Sequence, residues 1–343
     1  MSFTIAGPSR PHELAGEAQS ANHTVAIGLR LADAISAKVR TIVRAVHWFG
    51  RTIRMRTPEG RCLDSLQRAP VALYSESLPL AVLFSPKAGT TFAVKWFFFQ
   101  EGVLDEALAY AKWPHPYRQE VFYQRPDYVK KLAAIPSLGP RVVKFVRDPY
   151  DRAVSSYLHF CELSQREDPI QARAVLADIG DHLGRRVGIE SSFTFREFVS
   201  YLSSTDLETA NVHFRTQVSP CERDGLLQEM RIVKIEESRV ELPRLEADLG
   251  LLQSDYAELR SSPHHTTRAD LPGFFGDTEF GLARDVPTPR TVAFYDEELI
   301  RQVGRLYAED CQAYGYVPPT PAAADEPAES TSRRHAPPEA STP

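Results

Sequence analysis

Lys87 stands two residues ahead of Gly89, and Gly89 is followed at once by Thr90 and Thr91. The segment Pro86-Lys-Ala88-Gly-Thr-Thr91 lies where an apolar run, Leu80-Ala-Val-Leu-Phe-Ser85, gives way to a helical apolar pattern through Phe92, Val94, Trp96 and Phe97. A strand, a tight turn and a helix start in that order make an anion site, because glycine lets the backbone approach the ligand and the free N–H groups of the first helical turn point at it. Lys87 adds a mobile charge, and the threonines add hydroxyl donors. A nucleoside-triphosphate loop of the form GxxxxGK[ST] does not fit, since the lysine precedes the glycine and no GKS or GKT follows. The bland alternative is a strand-to-helix turn in which Gly89 is only a hinge.

A second such junction runs Phe145-Val-Arg-Asp-Pro-Tyr-Asp-Arg-Ala-Val-Ser-Ser-Tyr157. Asp148 is placed to cap a helix that Pro149 begins. Arg147 then sits at the carboxyl end of a strand, where open α/β sheets bind ligands, and offers a fork for phosphate oxygens, with Ser155 two turns into the helix. Arg152 reads as a structural residue held in ion pairs.

The two segments together resemble the sulfotransferase superfamily, in its carbohydrate sulfotransferase (family 2-like) branch. The resemblance implies a P-loop-like three-layer α/β fold, with a central parallel sheet flanked by helices. It also implies a donor, 3′-phosphoadenosine 5′-phosphosulfate, whose 5′-phosphosulfate is held by Pro86, Lys87, Ala88, Gly89, Thr90 and Thr91 and whose 3′-phosphate is held by Arg147 and Ser155. His213-Phe-Arg-Thr-Gln217 with Cys221 looks like the family's His-aromatic-x-x-Gln block, and the closing helix ending Tyr314-Gly-Tyr316 is similar too. The likeness runs over roughly residues 79 to 316. An acceptor hydroxyl is implied, on a glycan or a glycosylated small molecule.

Sulfuryl transfer asks for cationic cover of the leaving phosphate and for a base that removes the acceptor proton. Lys87 suits the first task by charge and reach. A sulfuryl group carries less negative charge than a terminal phosphoryl, so no metal is required. Histidine suits the second task, since its ordinary pKa lies near working pH. His115, in Trp113-Pro-His-Pro-Tyr117, lies between the two loops, where the superfamily places this role, and the prolines around it predict an extended loop. His213 is the alternative. His264 and His265 read as a solvated turn, while Arg268 has a claim to the 3′-phosphate or to an anionic acceptor. Rival readings are a kinase or hydrolase with a degenerate phosphate loop, and a nucleotide-binding module without catalysis.

Strands and helices must hold these residues in place. Three apolar runs, Leu80–Ser85, Val142–Arg147 and Arg231–Glu236, each lead into a helical segment, and this alternation predicts a parallel sheet. A last helix is expected over Asp296–Tyr314, with an acidic start suited to the helix dipole. Trp96, Phe97 and Phe98 read as core. At 343 residues and 43% hydrophobic the chain can bury one full domain, and its net charge of −5 argues against a nucleic-acid partner. Residues 1–22 and the proline-rich 318–343 read as disordered. Residues 23–75 form an N-terminal extension with a basic amphipathic helix, and residues 76–317 form the catalytic domain. Contact with a membrane surface through 27–56 is the secondary reading of that helix. Cys62, Cys161, Cys221 and Cys311 are widely spaced and indicate neither a zinc site nor a disulfide framework. With no leader pattern and no long apolar stretch, a cytoplasmic enzyme is the expectation.

Overall fold

The computed structural model describes residues 57–320 apart from 167–169, 171, 190, 262–267 and 281–286. The readings of 1–22, of the helix before residue 57, of the tail from 321 and of His264 and His265 lie outside the described residues. By its internal contacts the chain divides at Arg61–Cys62. The unit from Cys62 onward carries everything below.

The three apolar runs form three parallel strands: β2 (Leu80–Phe84), β3 (Val142–Val146) and β4 (Arg231–Lys234). Ala81 faces Val142 and Phe84 faces Phe145, while Val146 faces Lys234. The carboxyl ends of β2 and β3 are therefore level, and the chain segments that leave them start side by side. Every residue of β2 and β3 is buried, Lys144 among them, and apart from that lysine both read as apolar runs. The helices that follow complete a mixed α/β fold. Among them are α2 (Thr90–Gln100), α3 (Pro114–Glu120), α4 (Pro149–Ser164), α5 (Phe195–Ser203) and α6 (Ser238–Leu249). Trp96, Phe97 and Phe98 of α2 are fully buried, as core residues.

Three expectations need correction. An edge strand, β1 (Leu73–Ser75), pairs antiparallel with β2, so residues assigned to the N-terminal extension belong to the sheet. Three residues are too few for a period-two pattern to show in sequence. The closing helix is two helices, α7 (Glu297–Leu306) and α8 (Ala308–Tyr314), with non-helical backbone at Tyr307. The Tyr307 hydroxyl donates to the Phe214 carbonyl, 2.8 Å away in the buried interior, and anchors the chain where the break occurs. Asp296 caps α7 by accepting from the Leu299 N–H.

The third correction is a disulfide between Cys62, on the helix Pro58–Gln67 (α1), and Cys221, on the short helix Pro220–Arg223. Spacing hides it, because 159 residues separate the partners and only the fold brings them together. A bridge closing so long a loop is worth about 2–4 kcal/mol through the unfolded chain. Cys62→Ala or reductant is therefore expected to lower Tm by roughly 5–10 °C. An unchanged Tm, with both thiols alkylated in the native protein, would remove the bond from the account. Such bonds persist in oxidising compartments and are rare in the cytosol. The same thiol count on protein drawn from its own cell thus tests the cytoplasmic expectation.

Candidate functional site

The turn after β2 is shaped by two left-handed residues, Lys87 at φ 66° and Gly89 at φ 73°. Glycine is required at 89, since a Cβ there would lie 2.6 Å from Ile235 Cδ1 as well as at a backbone angle that side chains disfavour. Lys87 adopts the same region with a full side chain, which is uncommon outside glycine and asparagine. The Thr90 hydroxyl donates to the Ser85 carbonyl at 3.1 Å, closing the turn. Among the described residues no side chain caps the start of α2, so the N–H groups of its first turn are open to an anion.

Asp148 caps α4 as its sequence position predicts, accepting from the N–H groups of Tyr150 and Asp151, with Pro149 in the first turn. Arg147, one residue earlier, reaches back: its Nη1 donates to the Lys87 carbonyl at 3.0 Å. Arg152 is fully buried, and its Nε donates to the Pro86 carbonyl while its Nη2 donates to that of Val212. Its role is structural, with carbonyl oxygens as hydrogen-bond partners. Two arginines from α4 and its approach thus hold the first loop, and one of them ties it to the segment before His213.

Gln217 explains why the His213–Gln217 block matters. Its side chain accepts from the Arg147 N–H at 3.0 Å and donates to the Arg147 carbonyl at 2.8 Å, gripping that residue's backbone from both sides. Asp310 of α8 in turn accepts from the N–H groups of Gln217 and Val218. The break at Tyr307 is what brings α8 into this position.

Charge gathers around Lys87. Burial first, and then the neighbouring Arg147, push its pKa down to about 8; Glu162 acts upward and Arg268 downward. Arg147 and Arg268, the latter on a two-residue strand β5 (Arg268–Ala269), share one carboxylate, Asp151, at 3.8 and 3.7 Å. The structure therefore brings Lys87, Gly89, Thr90, Thr91, Arg147 and Arg268 into one cationic neighbourhood. Ser155 stands one turn beyond Asp151, on the same face of α4.

A model of the sulfotransferase family matches residues 112–317, well over half the chain. This protein belongs to the sulfotransferase family. The matched stretch contains Arg147–Ser155, His213–Gln217 and α8, while the Lys87 loop lies just ahead of it. No curated protein and no solved structure is significantly similar to the sulfotransferase.

Three histidines of the sulfotransferase bear on the site. His115 is on α3 rather than on an extended loop: Pro114 occupies the first helical position, where its fixed φ is favourable and its missing N–H costs nothing. Its Nε2 lies 3.0 Å from the Thr91 hydroxyl, at the start of α2. His213 is fixed by Asn211, whose side-chain oxygen accepts from the His213 N–H and lies 2.8 Å from Nδ1. With a proton on Nδ1 for that bond, Nε2 carries the lone pair. Burial first, then Lys87 and Arg152, hold its pKa down at about 4.

The third, His159, escaped the sequence reading. Its ring lies 4.7 Å from that of His213, and burial followed by Lys87 holds its pKa at about 3. The signal that would have found it is spacing, since it follows Ser155 by one helical turn. Among the described residues no group of histidine, cysteine or carboxylate side chains is arranged to hold a metal ion, and no helix is long and apolar enough to cross a membrane.

Proposed function

We propose that this chain transfers the sulfuryl group of 3′-phosphoadenosine 5′-phosphosulfate to a hydroxyl of a carbohydrate acceptor, a glycan or a glycosylated small molecule. The observation that supports it best is the Arg147 bond to the Lys87 carbonyl, which joins the two loops into one site for a doubly anionic ligand. The arrangement of β2, turn and α2 is phosphate-loop-like. Lys87 and the N–H groups from Gly89 to Thr91 are suited to the 5′-phosphosulfate, since the Ala88 N–H already donates to the Ser85 carbonyl, and Arg147, Arg268 and Ser155 are suited to the 3′-phosphate. The sugar acceptor is supported by the likeness of both loops to the carbohydrate branch.

In the transfer, the acceptor oxygen bonds to sulfur as the bond from sulfur to the 5′-phosphate oxygen breaks. The acceptor proton passes to a histidine, and the charge left on the phosphate falls under Lys87. His213 is the better placed base, because Asn211 fixes its tautomer and leaves Nε2 to accept, whereas Nε2 of His115 is already engaged with Thr91. His115 orients that threonine. The reaction needs no metal ion.

Calorimetry with adenosine 3′,5′-bisphosphate and adenosine 5′-phosphate tests the donor. Much tighter binding of the bisphosphate is expected, and equal affinity would sink the two-loop site. Labelled donor with a saccharide panel in chelator then separates sulfuryl transfer from a magnesium-dependent kinase. His213→Ala is expected to lower turnover by about 10²–10⁴-fold with bisphosphate affinity kept. If His115→Ala does this and His213→Ala does not, the base is His115.

A further inference from the structure

We infer that His159 is a positioning residue for the base: stacked on His213 and carried by the same helix as Ser155, it fixes the His213 ring and keeps water from one of its faces. This rests on the reading of His213 as the base.

Helix α4 explains the placement. Its buried face packs into an aromatic core, with Tyr157 against Phe193, Phe195, Phe198 and Phe294. The residues of α4 that are not buried are Asp151, Ser155, the adjacent pair Leu158 and His159, and Glu162, so that each step from Asp151 through Ser155 and the pair to Glu162 is three or four residues. That spacing draws a single stripe along the helix. Asp151 lies near Arg147 and Arg268, and Glu162 acts on Lys87, so the stripe faces the cationic site along its length. His159 stands on it one turn past Ser155, about 6 Å along the helix axis.

His213 is enclosed on several sides. His159 lies over it with ring planes tilted by 34°, and Phe160 meets it edge-on at 5.7 Å. Asn211 holds the Nδ1 edge. Rotation of the ring, which would misdirect the Nε2 lone pair, is opposed by neighbours from two segments of the chain.

The enclosure also sets the charge. Lys87 from the loop after β2 and Arg152 from α4 oppose a proton on His213, and burial opposes it more than either. Lys87, His213 and the Arg166 that follows α4 do the same for His159. Both rings are neutral at working pH. Anionic donor groups beside Lys87 offset that field, so binding of the donor raises the proton affinity of His213 when the acceptor must be deprotonated.

The test is an NMR titration of the His213 ring in the full chain, alone and saturated with adenosine 3′,5′-bisphosphate. Wild type is expected to titrate near pH 4 alone and higher with the bisphosphate. In His159→Ala, water reaches the exposed face, and the titration should move up toward the ordinary value of about 6.5. His159→Phe keeps the stacked ring without the nitrogen atoms and should restore the low value; His159→Gln should not. Bisphosphate affinity within about threefold of wild type in each variant is expected, as these rings lie beside the donor site and not in it.

Unchanged titration of His213 in His159→Ala overturns the inference, as does a His159→Phe variant that behaves like alanine. Loss of bisphosphate binding in all three variants overturns it too, because His159 would then support the donor loop instead. Failure of the functional reading shows separately, as wild type that binds the bisphosphate no better than adenosine 5′-phosphate.

Discussion

Lys87→Ala is expected to lower turnover by about 10²–10³-fold while bisphosphate affinity changes only a few-fold. On the proposed transfer, the charge on Lys87 meets negative charge that grows on the leaving phosphate, and an interaction made mainly in the transition state appears in kcat rather than in binding. Its pKa gives a second readout. Burial and Arg147 hold it at about 8, so the cation is present below that pH and is lost as pH rises through it. Donor kcat/KM, which reports the free enzyme, should therefore fall on the alkaline side near pH 8. Arg268→Ala removes one opposing charge and should move that limb upward. A Lys87→Ala enzyme with normal turnover and weak binding would make Lys87 a simple anchor.

The parts of this site legible in sequence are those whose chemistry is local. Gly89, the Asp148-Pro149 cap and the apolar strands announce themselves within a few residues, since turn, cap and burial are short-range demands. Arg147 and Ser155 can be read as neighbours in sequence because a strand end and the helix that follows it carry them eight residues apart. His159 lies on the same helix one turn past Ser155, a spacing that sequence also shows. Gln217 is different. It acts on Arg147 through a fold contact across 70 positions, and no periodicity encodes such a partner, whereas Asn211 holds a ring only two residues away. The disulfide and β1 were hidden for related reasons, the first by distance along the chain and the second by brevity. His115 shows the limit of local rules: two prolines near a histidine read as extended chain, yet the first turn of a helix tolerates both.

Arg147→Ala is expected to weaken bisphosphate binding by about 100-fold, since charge-assisted bonds to a phosphate are worth several kcal/mol together, while adenosine 5′-phosphate, which loses only the Arg147 support of the Lys87 loop, weakens less. Gln217→Ala should act in the same direction at about tenfold. Gln217 lies behind Arg147 and grips its N–H and carbonyl, so its loss frees the arginine backbone and leaves two partly buried polar groups unpaired. The double variant distinguishes this from independent contributions. If Gln217 works only through Arg147, removing it from a protein that already lacks the guanidinium costs no further affinity, and the single-variant losses fail to add. Additive losses would mean that Gln217 meets the ligand by another route, and Arg147 would then owe its place to Asp148 and the helix cap instead.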